Sequence, residues 1–182
     1  MGSSMTGYVL LDPVLAILIV CCGSALFASA AVHKLRDMPQ FSAAFANYGV
    51  PPALLHLNLP WAIPVLELGA AVGLWVPACR RPAVLLAIAL LLAYAAAIAV
   101  NLRAGRSGIA CGCGGPDPKQ PIAWWMVWRN LLLSLLLLAA IAPRRARLLE
   151  LTDFVTIGFG LAAMALLYAT AGRLLVQNRA RS

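Results

Sequence analysis

Cys111-Gly112-Cys113-Gly114-Gly115-Pro116 is the one run of this chain whose residue types and spacing suggest covalent chemistry. Two residues of extended chain span about 7 Å, at the upper edge of what a disulfide bridges, so a Cys-x-Cys pair closes only if the chain bends. Gly112 permits that bend. Strained and exposed disulfides are the labile, exchanging kind. Arg103 and Arg106 lie nearby and favour thiolate, the reactive form of cysteine. Gly114 and Gly115 leave room for a partner's backbone or sulfur. These features suit a dithiol/disulfide exchange site. Two other readings stay open: a two-thiolate metal site and a structural tight turn. Metal would need further ligands, and His33 and His56 fall on the correct side but in other segments.

A second group of residues belongs with the first. Glu67 sits within an apolar stretch, about seven residues and hence roughly 10 Å along a helix from its cysteine-side end. Arg129 stands at similar depth in a later stretch, and His33, Lys34 and Asn101 lie near the same surface. Ionisable side chains at membrane depth are functional candidates. Glu67 paired with Arg129 or Lys34 would fix helix packing, and its carboxylate would also serve as a proton relay during thiol oxidation. Trp61, Trp124 and Trp125 reach this level too. They suit an interfacial belt, or the lining of a pocket for a quinone head group. The site residues are thus Cys111, Cys113, Glu67 and Arg129, and quinone is the candidate cofactor.

The elements that must position these groups are apolar helices. The 182 residues are 63% hydrophobic and 11% charged, with a mean hydropathy of +0.88, too little polar surface for a water-soluble globule. The length suits one domain, and the whole chain, 1–182, reads as a single all-α integral membrane domain. Predicted spans are 13–32, 60–77, 83–102, 122–141 and 154–175, and the cysteine loop covers 104–121. Ahead of the first span is a short polar tail, whose start formally fits a myristoylation pattern. Ala28-Ser29-Ala30 looks like a signal-peptide cleavage site, but the tail lacks a basic leader, so the first span is read as retained. Cys21 and Cys22 inside it suit small, inert hydrophobes.

Phe41, Phe45 and Tyr48 recur at helical spacing and predict a short interfacial helix, stopped by Gly49 and Pro51-Pro52. Pro60 and Pro64 should loosen the first turns of the second span. Gly69 and Gly73 form a Gly-xxx-Gly pair that would admit a neighbouring helix. Cys79 falls across the membrane from the cysteine loop. The net charge of +8 is spread over loops and ends. With no basic stripe interleaved with aromatics, nucleic-acid binding is set aside. Five cations, Arg80, Arg81, Arg144, Arg145 and Arg147, crowd two short turns on the amino-terminal side. Eight spread over longer segments on the cysteine side. The positive-inside rule works best for short loops, which favours an external cysteine loop.

Several motifs together resemble the MauE (methylamine utilisation) membrane family, related to the DoxX-like four-helix proteins. They are Asn101-Leu102 through Arg106 to Cys111-Gly112-Cys113-Gly114-Gly115, then Ile122-x-Trp124 and Arg129-Asn130. Lys34-Leu35-Arg36-Asp37, Phe45-x-x-Tyr48 and Pro64-x-x-Glu67-x-Gly69 fit as well. The resemblance runs from about Ala25 to Leu133. This chain departs from the pattern at Ala110, where Asp is common, and at Gly114, where Phe is common. The resemblance implies a four-helix bundle, here with a fifth carboxyl-terminal helix, in the bacterial cytoplasmic membrane. It implies an accessory protein that works with a thioredoxin-like partner, MauD, to mature an exported, disulfide-dense client such as the small subunit of methylamine dehydrogenase. A non-catalytic assembly factor and a thiolate metal carrier are the competing functions.

Overall fold

The computed structural model describes residues 11–49, 59–109, 111, 121–143 and 147–179, with backbone alone at 168–169 and 171–179. Every regular element among them is helical. In chain order these are α1 (Pro13–Arg36), α2 (Met38–Asn47), α3 (Leu59–Gly73), α4 (Arg80–Arg103), α5 (Trp124–Leu138) and α6 (Leu151–Arg179). Short 3-10 turns at Pro77–Cys79 and Ala139–Ile141 precede α4 and follow α5.

Three helical segments are long and apolar enough to cross a membrane: Pro13–Arg36, Pro77–Arg103 and Trp124–Ile141. The predicted plan of four spans plus a fifth is met only in part. The described α3 has 15 residues, short of the roughly twenty that a straight crossing needs. It ends at Gly73 rather than at Pro77, because the chain turns through Leu74–Val76 into the 3-10 turn. The apolar part of α6 with described side chains, Leu151–Leu167, is likewise shorter.

The packing is that of a membrane protein. Val65, Val72, Leu85, Val100, Leu132 and Leu135 face outward, while Ser24, Lys34, Glu67, Asn101, Asn130 and Ser134 are buried. In water this would leave a large apolar surface exposed; in lipid the same surface is solvated by acyl chains. The interior holds two apolar clusters. The larger joins Val20, Phe27, Leu74, Val84 and Leu137. The smaller joins Ile98, Ile122 and Met126, with Tyr48, Ile109 and Cys111 packed against it.

Caps set the helix ends that matter for the site. Asp12 accepts a hydrogen bond from the Val14 amide at 2.9 Å and starts α1. Asp37 accepts one from the Gln40 amide at 3.0 Å and restarts the chain as α2. That short helix is the one expected from Phe41 and Phe45, and it buries Met38, Phe41 and Ala44. Gly49 ends it with φ +72°. At the other side of the site, α4 closes with a Schellman motif: Arg106 N–H reaches Asn101 O at 3.0 Å, Gly105 N–H reaches Leu102 O at 3.1 Å, and Gly105 takes φ +74°. This turn sends the chain back over the bundle, with the Arg106 guanidinium against Gly49.

Of the Gly-xxx-Gly pair, only Gly73 makes a close approach. A Cβ built there would stand 2.8 Å from the Ala83 Cβ of α4, whereas one at Gly69 would meet nothing within 4 Å.

Candidate functional site

The centre of the site is a buried polar triad. Lys34, in the last turn of α1, and Glu67, midway along α3, are 3% and 0% exposed. Lys34 Nζ donates to Glu67 Oε1 at 2.5 Å. Tyr94 of α4 donates its hydroxyl to the same oxygen at 2.7 Å. The ammonium also lies 5.3 Å from the Tyr94 ring centroid and 5.5 Å from that of Phe41 on α2, within cation–π range. One carboxylate oxygen therefore ties α1, α3 and α4 together. The other, Oε2, is buried and makes no hydrogen bond among the described residues.

Of the two partners expected for Glu67, the structure selects Lys34. Arg129 instead places its guanidinium 5.3 Å from the ring centroid of Trp125, one turn back along α5. Of the three tryptophans expected in the belt, Trp61 and Trp124 are exposed and Trp125 is half-buried.

A cavity of about 140 Å³ joins the triad to the cysteine loop. Lys34, Glu67, Tyr94, Arg129, Tyr48 and Cys111 all line it. The sequence-predicted residues Glu67, Arg129 and Cys111 are thus brought to one space. Cys113, Gly112, Gly114, Gly115 and His56 lie outside the described residues. Cys111 is disulfide-bonded, whereas Cys21, Cys22 and Cys79 are free thiols. Among the described residues no three or more His, Cys, Asp and Glu side chains gather as a metal site would require.

Tyr48 anchors the loop. Its hydroxyl donates to the Cys111 carbonyl at 3.0 Å. Its own carbonyl accepts from Asn101 Nδ2 at 3.2 Å, and that amide also donates to Ala97 O at 2.9 Å. Asn101 is 1% exposed, so these bonds are sheltered. Ile122 N–H to Ile109 O, 3.0 Å, closes the base of the loop. Burial pushes the Tyr48 phenol up to about 12, so at neutral pH it remains a donor.

Sequence reasoning missed Tyr94. It stands in a segment of almost pure Ala, Leu and Ile, and that contrast was the available signal: a buried phenol needs a partner for its hydroxyl. The partner could not be read, because it lies on another helix.

A family model described as "Methylamine utilisation protein MauE" matches residues 11–143. Relatives that carry the name methylamine utilization protein MauE include those of two Paracoccus species and of Methylorubrum extorquens. That of Paracoccus denitrificans is 44% identical over 114 residues, covering 63% of this chain and 61% of that protein. That of Paracoccus versutus is 38% identical over 119 residues, covering 65% and 64%. That of Methylorubrum extorquens is 35% identical over 126 residues, covering 69% and 68%. The chain thus spans less than two thirds of the length of the two Paracoccus proteins. No solved structure matches it.

Proposed function

The chain belongs to the MauE family, and from that premise we propose that it is a membrane thiol–disulfide exchange protein serving methylamine utilisation. The observation that carries the proposal is that Cys111, already in a disulfide, lines the same cavity as the Lys34–Glu67–Tyr94 triad. In this reading Cys111 and Cys113 form the exchanging pair. Cys21, Cys22 and Cys79 are free thiols and stay outside the reaction.

Exchange proceeds by attack of a thiolate on a disulfide sulfur through a mixed disulfide. The loop supplies the disulfide, held from beneath by Tyr48. A thioredoxin-like protein of the MauD kind supplies the attacking or departing thiols. The client is an exported protein dense in disulfides, which requires an oxidising compartment. The loop accordingly faces outward from the bacterial cytoplasmic membrane. Lys34 and Glu67 act below it as a fixed charge pair that positions the helices around the loop.

The test is mixed-disulfide trapping in intact cells. A single Cys111→Ser or Cys113→Ser variant removes one sulfur, and at least one variant should lose the trapped adduct with its partner. Wild-type trapping by both would overturn the proposal. Alkylation with a membrane-impermeant reagent after reduction should label the loop from outside; labelling by a permeant reagent alone would overturn the orientation.

A further inference from the structure

Asn101 is an unfavourable choice for its own helix. Asparagine is a weak helix former, because its side chain competes for backbone groups, and this one is buried near the end of an otherwise apolar α4. Its amide nitrogen explains the choice. Nδ2 carries two hydrogens, and two carbonyls face it. One is Ala97 O at 2.9 Å, a turn back on α4; the other is Tyr48 O at 3.2 Å, where α2 ends. A carboxylate or an apolar side chain of the same size would leave both carbonyls without this donor. The backbone of the same turn adds a second hold. Asn101 O accepts from Arg106 N–H at 3.0 Å, and the Arg106 guanidinium then lies over Gly49, where an added Cβ would stand 2.9 Å from Nη1. The last turn of α4 thus holds Tyr48 by its carbonyl and the next residue by close packing. Tyr48 in turn donates its hydroxyl to the Cys111 carbonyl at 3.0 Å.

We propose that Asn101 is a positioning residue for the Cys111 disulfide, acting through Tyr48. It touches no sulfur. Its amide fixes the tyrosine backbone, and the tyrosine hydroxyl then fixes the Cys111 backbone. The inference rests on the exchange reading above and names what holds the disulfide while a thiolate attacks it. Attack depends on access to the sulfur, so a loop released from this hold is reduced faster.

The test is a double-mutant cycle on the full-length protein in detergent, read by the rate at which dithiothreitol reduces the Cys111 disulfide. Asn101→Thr separates the two bonds of the amide. Within a helix, threonine returns its hydroxyl to the carbonyl one turn back, as Thr156 does to Thr152 O at 2.8 Å. The bond to Ala97 O is therefore kept in kind, and the bond to Tyr48 O is lost. Asn101→Ser makes the same separation with a smaller side chain and serves where the threonine protein does not fold. Either variant should raise the reduction rate about threefold to tenfold, the effect of one hydrogen bond. Tyr48→Phe should raise it to a similar extent. The double variant should be no faster than the faster single one, because both changes break the same path. A residue that only supports the helix would instead give rates that multiply. An unchanged rate in the folded Asn101 variant, or multiplied rates in the double variant, would overturn the proposal. Should the rates multiply while mixed-disulfide trapping persists in cells, the positioning falls and the exchange reading stands. Should the cycle hold while wild-type protein traps no partner, the exchange reading falls and the positioning of the disulfide stands.

Discussion

Lys34 Nζ and Glu67 Oε1 lie 2.5 Å apart, 33 positions apart in sequence, with both side chains sealed from the surroundings. A buried ion pair gives little net stability over an apolar pair of the same shape, but removing one partner strands the other. Tyr94 adds a second donor to the same carboxylate oxygen, so Glu67 Oε1 holds both α1 and α4 to α3.

Single removal should therefore be far worse than joint removal. Lys34→Met is expected to cost about 3–5 kcal/mol, because it leaves the Glu67 carboxylate buried without its cation. Lys34→Met combined with Glu67→Leu should recover much of that loss. Thermal unfolding of the purified proteins in detergent, arranged as a double-mutant cycle, measures the coupling. Additive losses would show that the pair does not act as a unit.

Much of this site was legible in the chain. Ionisable residues in apolar stretches are rare enough to announce themselves, and Lys34, Glu67 and Arg129 all line the cavity with Cys111. Spacing along one helix does not determine which residue on another helix it meets. Glu67 therefore had two candidate partners, and Arg129 turned instead to Trp125. Helix count was legible more coarsely. Mean apolarity identifies each stretch, but the 15 residues of α3 end where Gly73 and the following turn break it. Tyr94 escaped because a lone phenol is significant only once its acceptor is known.

The glycine pair makes a prediction of opposite signs. Gly73→Ala places a methyl 2.8 Å from the Ala83 Cβ, and that neighbour has no flexible end to withdraw. The α3–α4 contact must open, at a cost of about 1–3 kcal/mol by analogy with overpacked cores. Gly69→Ala meets nothing within 4 Å and should gain about 0.5–1 kcal/mol from the lost backbone freedom of glycine. Melting temperatures of the two variants should move apart. A loss at Gly69 equal to that at Gly73 would restore the reading of a shared two-glycine contact.

Arg147 makes a different kind of tie at the opposite end of the bundle. Its guanidinium bonds Asp12 Oδ1 at 3.1 Å and Asp153 Oδ2 at 2.6 Å, linking the cap of α1 to the first turn of α6. The Arg147 hydrogen bond holds the Asp12 carboxyl below its usual range. A carboxylate with a depressed folded value contributes above its unfolded value and loses that contribution as pH falls through the folded one. Arg147→Ala should speed amide exchange in the first turn of α6 at neutral pH. The same turn in the wild type should loosen only in acid or high salt, as exposed ion pairs do. Unchanged exchange in the variant would rule the tie out as an anchor.

Tyr48 offers the most direct control over the loop without touching a sulfur. Its hydroxyl bond to the Cys111 carbonyl, 3.0 Å, requires the neutral phenol. Burial raises that phenol from about 10 to about 12. In the unfolded chain the proton leaves near 10, so the contribution is complete below that pH and falls away as pH rises toward 12. Tyr48→Phe keeps the ring against Ile98 and its neighbours and deletes only the donor. It should cost about 0.5–1.5 kcal/mol, the usual net worth of one hydrogen bond. It should also remove the Tyr48 share of the loss of stability between pH 10 and 12. Because the bond is local to the loop, the effect should appear as faster reduction of the Cys111 disulfide by dithiothreitol. The Lys34–Glu67 coupling should stay unchanged, since its three helices do not depend on this hydroxyl. Equal reduction rates in the two proteins would mean that the loop is held by its apolar packing on Ile98, Ile122 and Met126 rather than by Tyr48.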